Sequence, residues 1–200
     1  MAKAKKVVKA AGKGKKVVIL LGSPRRRGNS AALASRIAKG AELEKAKVET
    51  FFLHGLKIAP CNACEACHQA GAKGCVIQDD MQQIYPELRA ADAIVYASPI
   101  YWFTMSAQLK LAMDRCYALG GEGGHAFAGK RIGLAFSYGG EDPFDSGCTN
   151  AIRAFQDAFG FIGAPIVGMV YGSAGGAGEI RSNKKVMGEA KELGRKLVCA

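Results

Sequence analysis

Short, continuously apolar runs alternate along the chain with longer stretches in which apolar residues recur every three or four positions. Five runs, 17–21, 48–53, 93–98, 132–137 and 165–171, read as buried parallel strands, because a strand covered on both faces has no polar side to alternate with. The stretches 30–45, 81–90, 106–116, 149–161 and 183–198 carry the helical period. Alternating strands and helices predict an α/β fold: one doubly wound sheet of five parallel strands with helices on both faces. Ligands of such sheets bind beyond the carboxyl ends of the strands, near the point where the strand order reverses. The loops after the first, third and fourth strands are therefore expected to carry function.

Composition changes this picture little. The chain has 200 residues, 49% hydrophobic and 22% charged, which suits one globular domain over 16–200. The net charge of +11 is concentrated at the start: Lys3, Lys5, Lys6, Lys9, Lys13, Lys15 and Lys16 account for seven of these charges and leave +4. Residues 1–15 read as a disordered, solubilising basic tail outside the fold, and not as a nucleic-acid reader. No apolar run reaches the roughly 20 residues that span a bilayer, so no membrane partner is expected. The basic start lacks a cleavable apolar core with a small-residue exit, so the expected location is cytoplasmic.

The first strand runs into Gly22-Ser23-Pro24-Arg25-Arg26-Arg27-Gly28-Asn29-Ser30 and then a helix. Glycines at 22 and 28 allow tight turns, and the free N–H groups of the helix start attract an anion. Ser23, Asn29 and Ser30 add neutral donors, and Arg25 adds a charge-assisted one. Neutral donors in the majority suit a dianionic phosphate monoester; capping by Asn29 or Ser30 would use only part of the segment. Five residues separate the glycines and no lysine precedes Ser30, so this is not a triphosphate-binding P-loop. The glycine-rich stretches 120–124 and 172–178 read as flexible loops and give no G-x-G-x-x-G dinucleotide fingerprint.

The third strand ends in Ser98-Pro99-Ile100-Tyr101-Trp102-Phe103, an odd exposure of apolar surface unless a flat ring or another subunit covers it. The fourth is followed by Ser137-Tyr138-Gly139-Gly140-Glu141, where adjacent glycines let backbone N–H groups approach a ligand. Gly-Ser-Pro-Arg with Gly-Asn-Ser resembles the FMN-phosphate loop of the NADPH-dependent FMN reductase group within the flavodoxin-like superfamily. Ser-Pro-Ile-Tyr-Trp, the later Asp114-Arg115 and the Gly-Gly loop resemble the same group. The resemblance implies a flavodoxin-like strand order 2-1-3-4-5. It also implies an FMN site of Ser23, Arg25, Gly28, Asn29, Ser30, Pro99, Ile100, Tyr101, Trp102, Tyr138, Gly139 and Gly140, and NAD(P)H as a partner.

Seven cysteines without a secretory signal argue against a disulfide framework. Cys61, Cys64, Cys67 and Cys75 fall in an insertion at about 58–78, after the second strand, while Cys116, Cys148 and Cys199 stand apart. The x2-x2 spacing with a distant fourth cysteine favours a 4Fe-4S cluster; zinc and free or redox-active thiols are the alternatives. His68 adjoins Cys67 but reads as a surface residue. With the phosphate loop, the cysteines resemble those of iron–sulfur flavoproteins, which implies a homo-oligomer (dimer or tetramer) in which the cluster approaches a neighbour's flavin. No catalytic acid or base is needed for flavin chemistry, and His125 reads as a surface residue or a substrate guide. Three functions stay open: an iron–sulfur flavoprotein oxidoreductase, a cluster-free NAD(P)H-dependent FMN or quinone reductase, and a non-enzymatic carrier between redox protein partners.

Overall fold

The computed structural model describes residues 14–199, so most of the basic tail lies outside the described residues. Five parallel strands form the sheet: β1 (Lys16–Leu21), β2 (Lys47–Phe52), β3 (Ala93–Tyr101), β5 (Arg131–Tyr138) and β6 (Ile166–Ser173). A two-residue strand, β4 (Thr104–Met105), pairs antiparallel with the end of β3. The order is β2-β1-β3-β5-β6, the expected 2-1-3-4-5 once β4 is set aside. The order reverses between β1 and β3, where a doubly wound sheet opens its ligand crevice.

Successive residues of the central strands feed two separate cores. Val18, Leu20, Ile94, Tyr96, Leu134 and Phe136 face α2 (Met81–Ala90), α3 (Ala107–Arg115) and α4 (Cys148–Phe161). Val17, Ile19, Leu21, Val95 and Ala135 face α1 (Asn29–Leu43) and α5 (Lys184–Val198). That is why the central runs are apolar throughout. The reading of all five strands as buried needs correction at the edges: β2 holds no fully buried residue, and β6 leaves Met169 and Tyr171 exposed. Each has one strand neighbour, so part of its surface stays open. Helices α1 and α5 cross at Gly40 and Gly194, where a Cβ on either would collide with the other helix's backbone.

Helix ends differ from the sequence expectation by two residues at most, and α2 coincides with it. The hairpin of β3 and β4 was not foreseen; the third strand was expected to stop at Ser98. The cysteine insertion lies between β2 and α2, irregular but for one 3₁₀ turn at Ala66–His68. Among the described residues, no helix is long and apolar enough to cross a membrane.

Candidate functional site

At the carboxyl edge of the sheet, β1 gives way to Gly22, whose N–H donates to the Ala97 carbonyl (2.8 Å) and whose carbonyl accepts from the Ser106 hydroxyl (2.8 Å). A Cβ at Gly22 would lie 2.7 Å from both Leu109 Cβ and Ser106 Oγ, so the close approach of α3 requires glycine. Ser23 Oγ then accepts from the Arg25 N–H (3.1 Å), and the Gly28 N–H donates to the Arg25 carbonyl (3.0 Å). Gly28 caps α1 with no side chain of its own. The backbone N–H groups of Asn29, Ser30 and Ala31 have no protein acceptor among the described residues. Three aligned donors at a helix start favour an anion.

Side chains divide the work differently from the sequence expectation. The Asn29 amide donates to the carbonyls of Ala174 (3.3 Å) and Gly176 (2.9 Å), and its oxygen accepts from the Ile180 N–H (3.2 Å). It thus ties the loop after β6 to α1, and only its backbone N–H remains for a ligand. The buried Ser30 and Ser137 hydroxyls share one hydrogen bond at 2.9 Å. Each hydroxyl has further capacity, so the pair can still serve a ligand. Arg25 is exposed at the rim, whereas the Arg26 guanidinium stacks 4.1 Å from the centre of the Phe52 ring.

These elements enclose a cavity of about 280 Å³ that brings together Ser23, Arg25, Gly28, Asn29, Ser30, Pro99, Ile100, Tyr101, Tyr138 and Gly139. Two expected residues are not on its wall. Gly140 turns away, its carbonyl accepting from the Ser173 hydroxyl (2.5 Å), and Trp102 stands 92% exposed at the tip of the β3–β4 hairpin. Ser137, Ala174 and Gly175 also line the cavity. The last two belong to the glycine-rich stretch that reads as a flexible loop. Its glycines were the available signal; the Asn29 anchor was not visible.

The hairpin tip is strained. Trp102 and Phe103 have φ of 45° and 62°, the left-handed pair of a two-residue turn that glycine and asparagine normally supply. Gly147, at φ 73°, packs so closely on Phe103 that a Cβ there would strike the Phe103 backbone. The Asn150 amide donates to the Phe103 carbonyl at 3.2 Å. These contacts hold the aromatic tip against the start of α4.

The four insertion cysteines, with Arg115 and Tyr117, line a second cavity of about 20 Å³. All seven cysteines are free; Cys61 and Cys64 are exposed, Cys67 and Cys75 half-buried. Ala63 and Glu65, between the cysteines, take left-handed φ of 54° and 56° and curl the loop. Among the described residues, however, no three His, Cys, Asp or Glu side chains stand in an arrangement that could hold a metal ion. Burial pushes the Cys75 thiol up, but the Ile77 N–H and Arg115 bring it below its usual range. Burial pushes Cys67 up, and nearby Cys75, Glu65 and Cys64 raise it further. His68 stacks on Tyr117 (ring centres 4.2 Å apart), with Nε2 3.0 Å from the Tyr117 carbonyl. His125 lines a third, larger cavity of about 670 Å³ and not the one at the phosphate loop.

The model of the NADPH-dependent FMN reductase family matches residues 15–179. An iron-sulfur flavoprotein of Methanosarcina thermophila is 34% identical over 154 residues, 76% of this chain and 77% of that protein. Another protein of that name, from Archaeoglobus fulgidus, is 39% identical over 127 residues, 62% of each chain. The NAD(P)H:quinone oxidoreductase of Methanothermobacter marburgensis shares the fold, with a TM-score of 0.70 and 18% identity over 92% of this chain and 97% of that one. The chain therefore belongs to the NADPH-dependent FMN reductase family and is a flavin-dependent oxidoreductase.

Proposed function

We propose that this protein is a redox enzyme of the iron–sulfur flavoprotein type, exchanging electrons with NAD(P)H or a redox protein partner. The cavity at the sheet edge offers the groups that FMN requires. Three unpaired N–H groups at Asn29–Ala31, the Ser23 hydroxyl and the Arg25 guanidinium meet the demands of a phosphate monoester. Pro99, Ile100 and Tyr101 offer a wall for a flat ring, and Tyr138 and Gly139 line the same cavity. When bound, the flavin supplies one- and two-electron chemistry, and an iron–sulfur cluster supplies one-electron chemistry. The protein's own work is to bind, to orient and to stabilise negative charge that arrives on reduction, through donors such as the Gly139 N–H.

The observation that carries the iron–sulfur reading is the gathering of four free cysteines, Cys61, Cys64, Cys67 and Cys75, around one cavity. Four soft thiols match the donor set of a 4Fe-4S cluster. The name of the Methanosarcina relative supports the same reading, which carries with it a homo-oligomer. The test is an iron and sulfide assay with an absorbance spectrum on protein purified without oxygen. The expected result is FMN with about four irons per chain. Cys64→Ser is expected to lose the iron and keep the FMN; loss of both together would count against two separate sites.

A second reading, a cluster-free NAD(P)H-dependent FMN or quinone reductase, is favoured by the lack of a metal-holding arrangement among the described residues. It predicts a flavin spectrum without iron and rapid NADPH oxidation with free FMN or a quinone.

A further inference from the structure

Behind the cysteine cavity lies a buried cation. Arg115, the last residue of α3, is 1% exposed and is the largest side chain in the interior. One of its terminal nitrogens donates to the Ala59 carbonyl (2.9 Å) and to one Asp79 oxygen (2.5 Å). The other donates to the second Asp79 oxygen (3.2 Å), to the Ile77 carbonyl (3.5 Å) and to the Cys75 sulfur (3.4 Å). Its Nε–H is buried without an acceptor. Asp79 is itself fixed by the Ala59 N–H (2.9 Å) and the Met81 N–H (3.0 Å). Tyr85, whose hydroxyl donates to the Arg115 carbonyl at 3.1 Å, braces the other side.

A purely structural arginine could satisfy Asp79 and two carbonyls. This one also turns a donor toward a thiol, lines the cavity of all four cysteines and stands at a helix C-terminus, where a cation is favoured. A buried ion pair is costly unless its geometry is well satisfied, and simple packing would serve stability as well. The pair therefore calls for an account beyond stability.

We infer that Arg115 is a positioning residue for the cysteine site: it holds Cys75 in place and sets the redox potential of the group that the four thiolates bind. This rests on the iron–sulfur reading above. The physical basis is general: hydrogen bonds to ligand sulfur and nearby positive charge favour the reduced, more negative state of a thiolate-held cluster. Asp79 aims the guanidinium and offsets part of its charge. Cys61 and Cys64, exposed on the curled loop, have no such partner among the described residues.

The test is a redox titration of the holoprotein and two variants, with FMN content, iron content and thermal midpoint measured on each. Arg115→Lys keeps the charge but loses the planar fork that reaches Asp79 and Cys75 together. Arg115→Gln combined with Asp79→Asn removes both charges and leaves neither partner stranded. Both variants are expected to keep FMN and iron. The cluster potential should fall in both, in the neutral pair by at least the ~59 mV of a tenfold change for one electron. A wild-type potential in an iron-loaded variant overturns the inference and leaves the iron–sulfur reading intact. Iron-free wild-type protein overturns both. Should neither variant fold, wild-type protein labelled with guanidino-¹⁵N arginine decides: a resolved ¹⁵N coupling on the reduced cluster's paramagnetic signal is expected, and its absence overturns the inference.

Discussion

His125 shows what one residue owes to partners elsewhere in the chain. From the sequence it could be a surface residue or a substrate guide; in the structure both ring nitrogens are engaged. Nδ1 accepts from the Phe127 N–H at 3.1 Å, and Nε2 lies 3.1 Å from the Cys116 carbonyl, to which it donates in the matching tautomer. Burial holds its pKa below the ordinary 6.5; the Cys116 carbonyl opposes this, and the charge of Arg89 reinforces it. The neutral ring is thus the native form. The unfolded chain takes up a proton first, so the stabilisation is complete above pH 6.5 and is lost as the pH falls through the native pKa. Urea unfolding at about pH 7.5 and about pH 5.5 should give lower stability at the acid end, and His125→Gln should flatten that slope. An unchanged slope would assign it to another group. The engaged nitrogens depend on a carbonyl nine residues back in the chain, which no local pattern discloses. The cysteines were easier to read, because their close spacing shows in the sequence, although the left-handed turns at Ala63 and Glu65 and the contact of Arg115 with Cys75 do not.

At the scale of elements, the central strands were legible because burial on both faces writes a continuous apolar run. The exposure of β2 and β6 was not, since it depends on which strands lack a second neighbour. The β3–β4 hairpin was hidden for a different reason. Its turn is Trp102-Phe103, two residues with no preference for positive φ, so the sequence carries no turn signal there. The conformation is held by Gly147, just before α4, and by Asn150 within it. Strain of this kind costs about 1–3 kcal/mol per residue and collects at functional sites. Replacing the tip with Asn-Gly (Trp102→Asn with Phe103→Gly) should therefore raise stability, by about 1–2 kcal/mol in urea unfolding. A loss of stability would mean that packing of the two aromatic rings outweighs the backbone strain. The loop after β6 follows the same logic: its glycines were visible, but its place in the cavity wall depends on Asn29, 145 residues earlier than Ala174.

For the whole molecule, ligand binding and folding are one equilibrium. The loops from β1, β3, β5 and β6 meet only in the native state, so at the proposed site FMN would bind the folded chain and not the unfolded one. Free FMN at 100 times its Kd should stabilise the flavin-free protein by about 2.7 kcal/mol, a rise in thermal midpoint of roughly 5–11 °C for a domain of this size. No rise would exclude FMN from the cavity. Helix α3 has a further consequence at this scale. It starts at the Ser106 cap, bonded to the Gly22 carbonyl beneath the loop after β1, and ends at Arg115 against Cys75. Its nine residues span about 13 Å, and neither end is free to slide. The helix thus acts as a gauge block between the two proposed sites, so the interval between them is set by a count of helical residues. Lengthening or shortening the surface loops can change what each site accepts, yet leaves that interval alone. Only an inserted or deleted turn of α3 would reset it, and would do so in steps of about 5.4 Å.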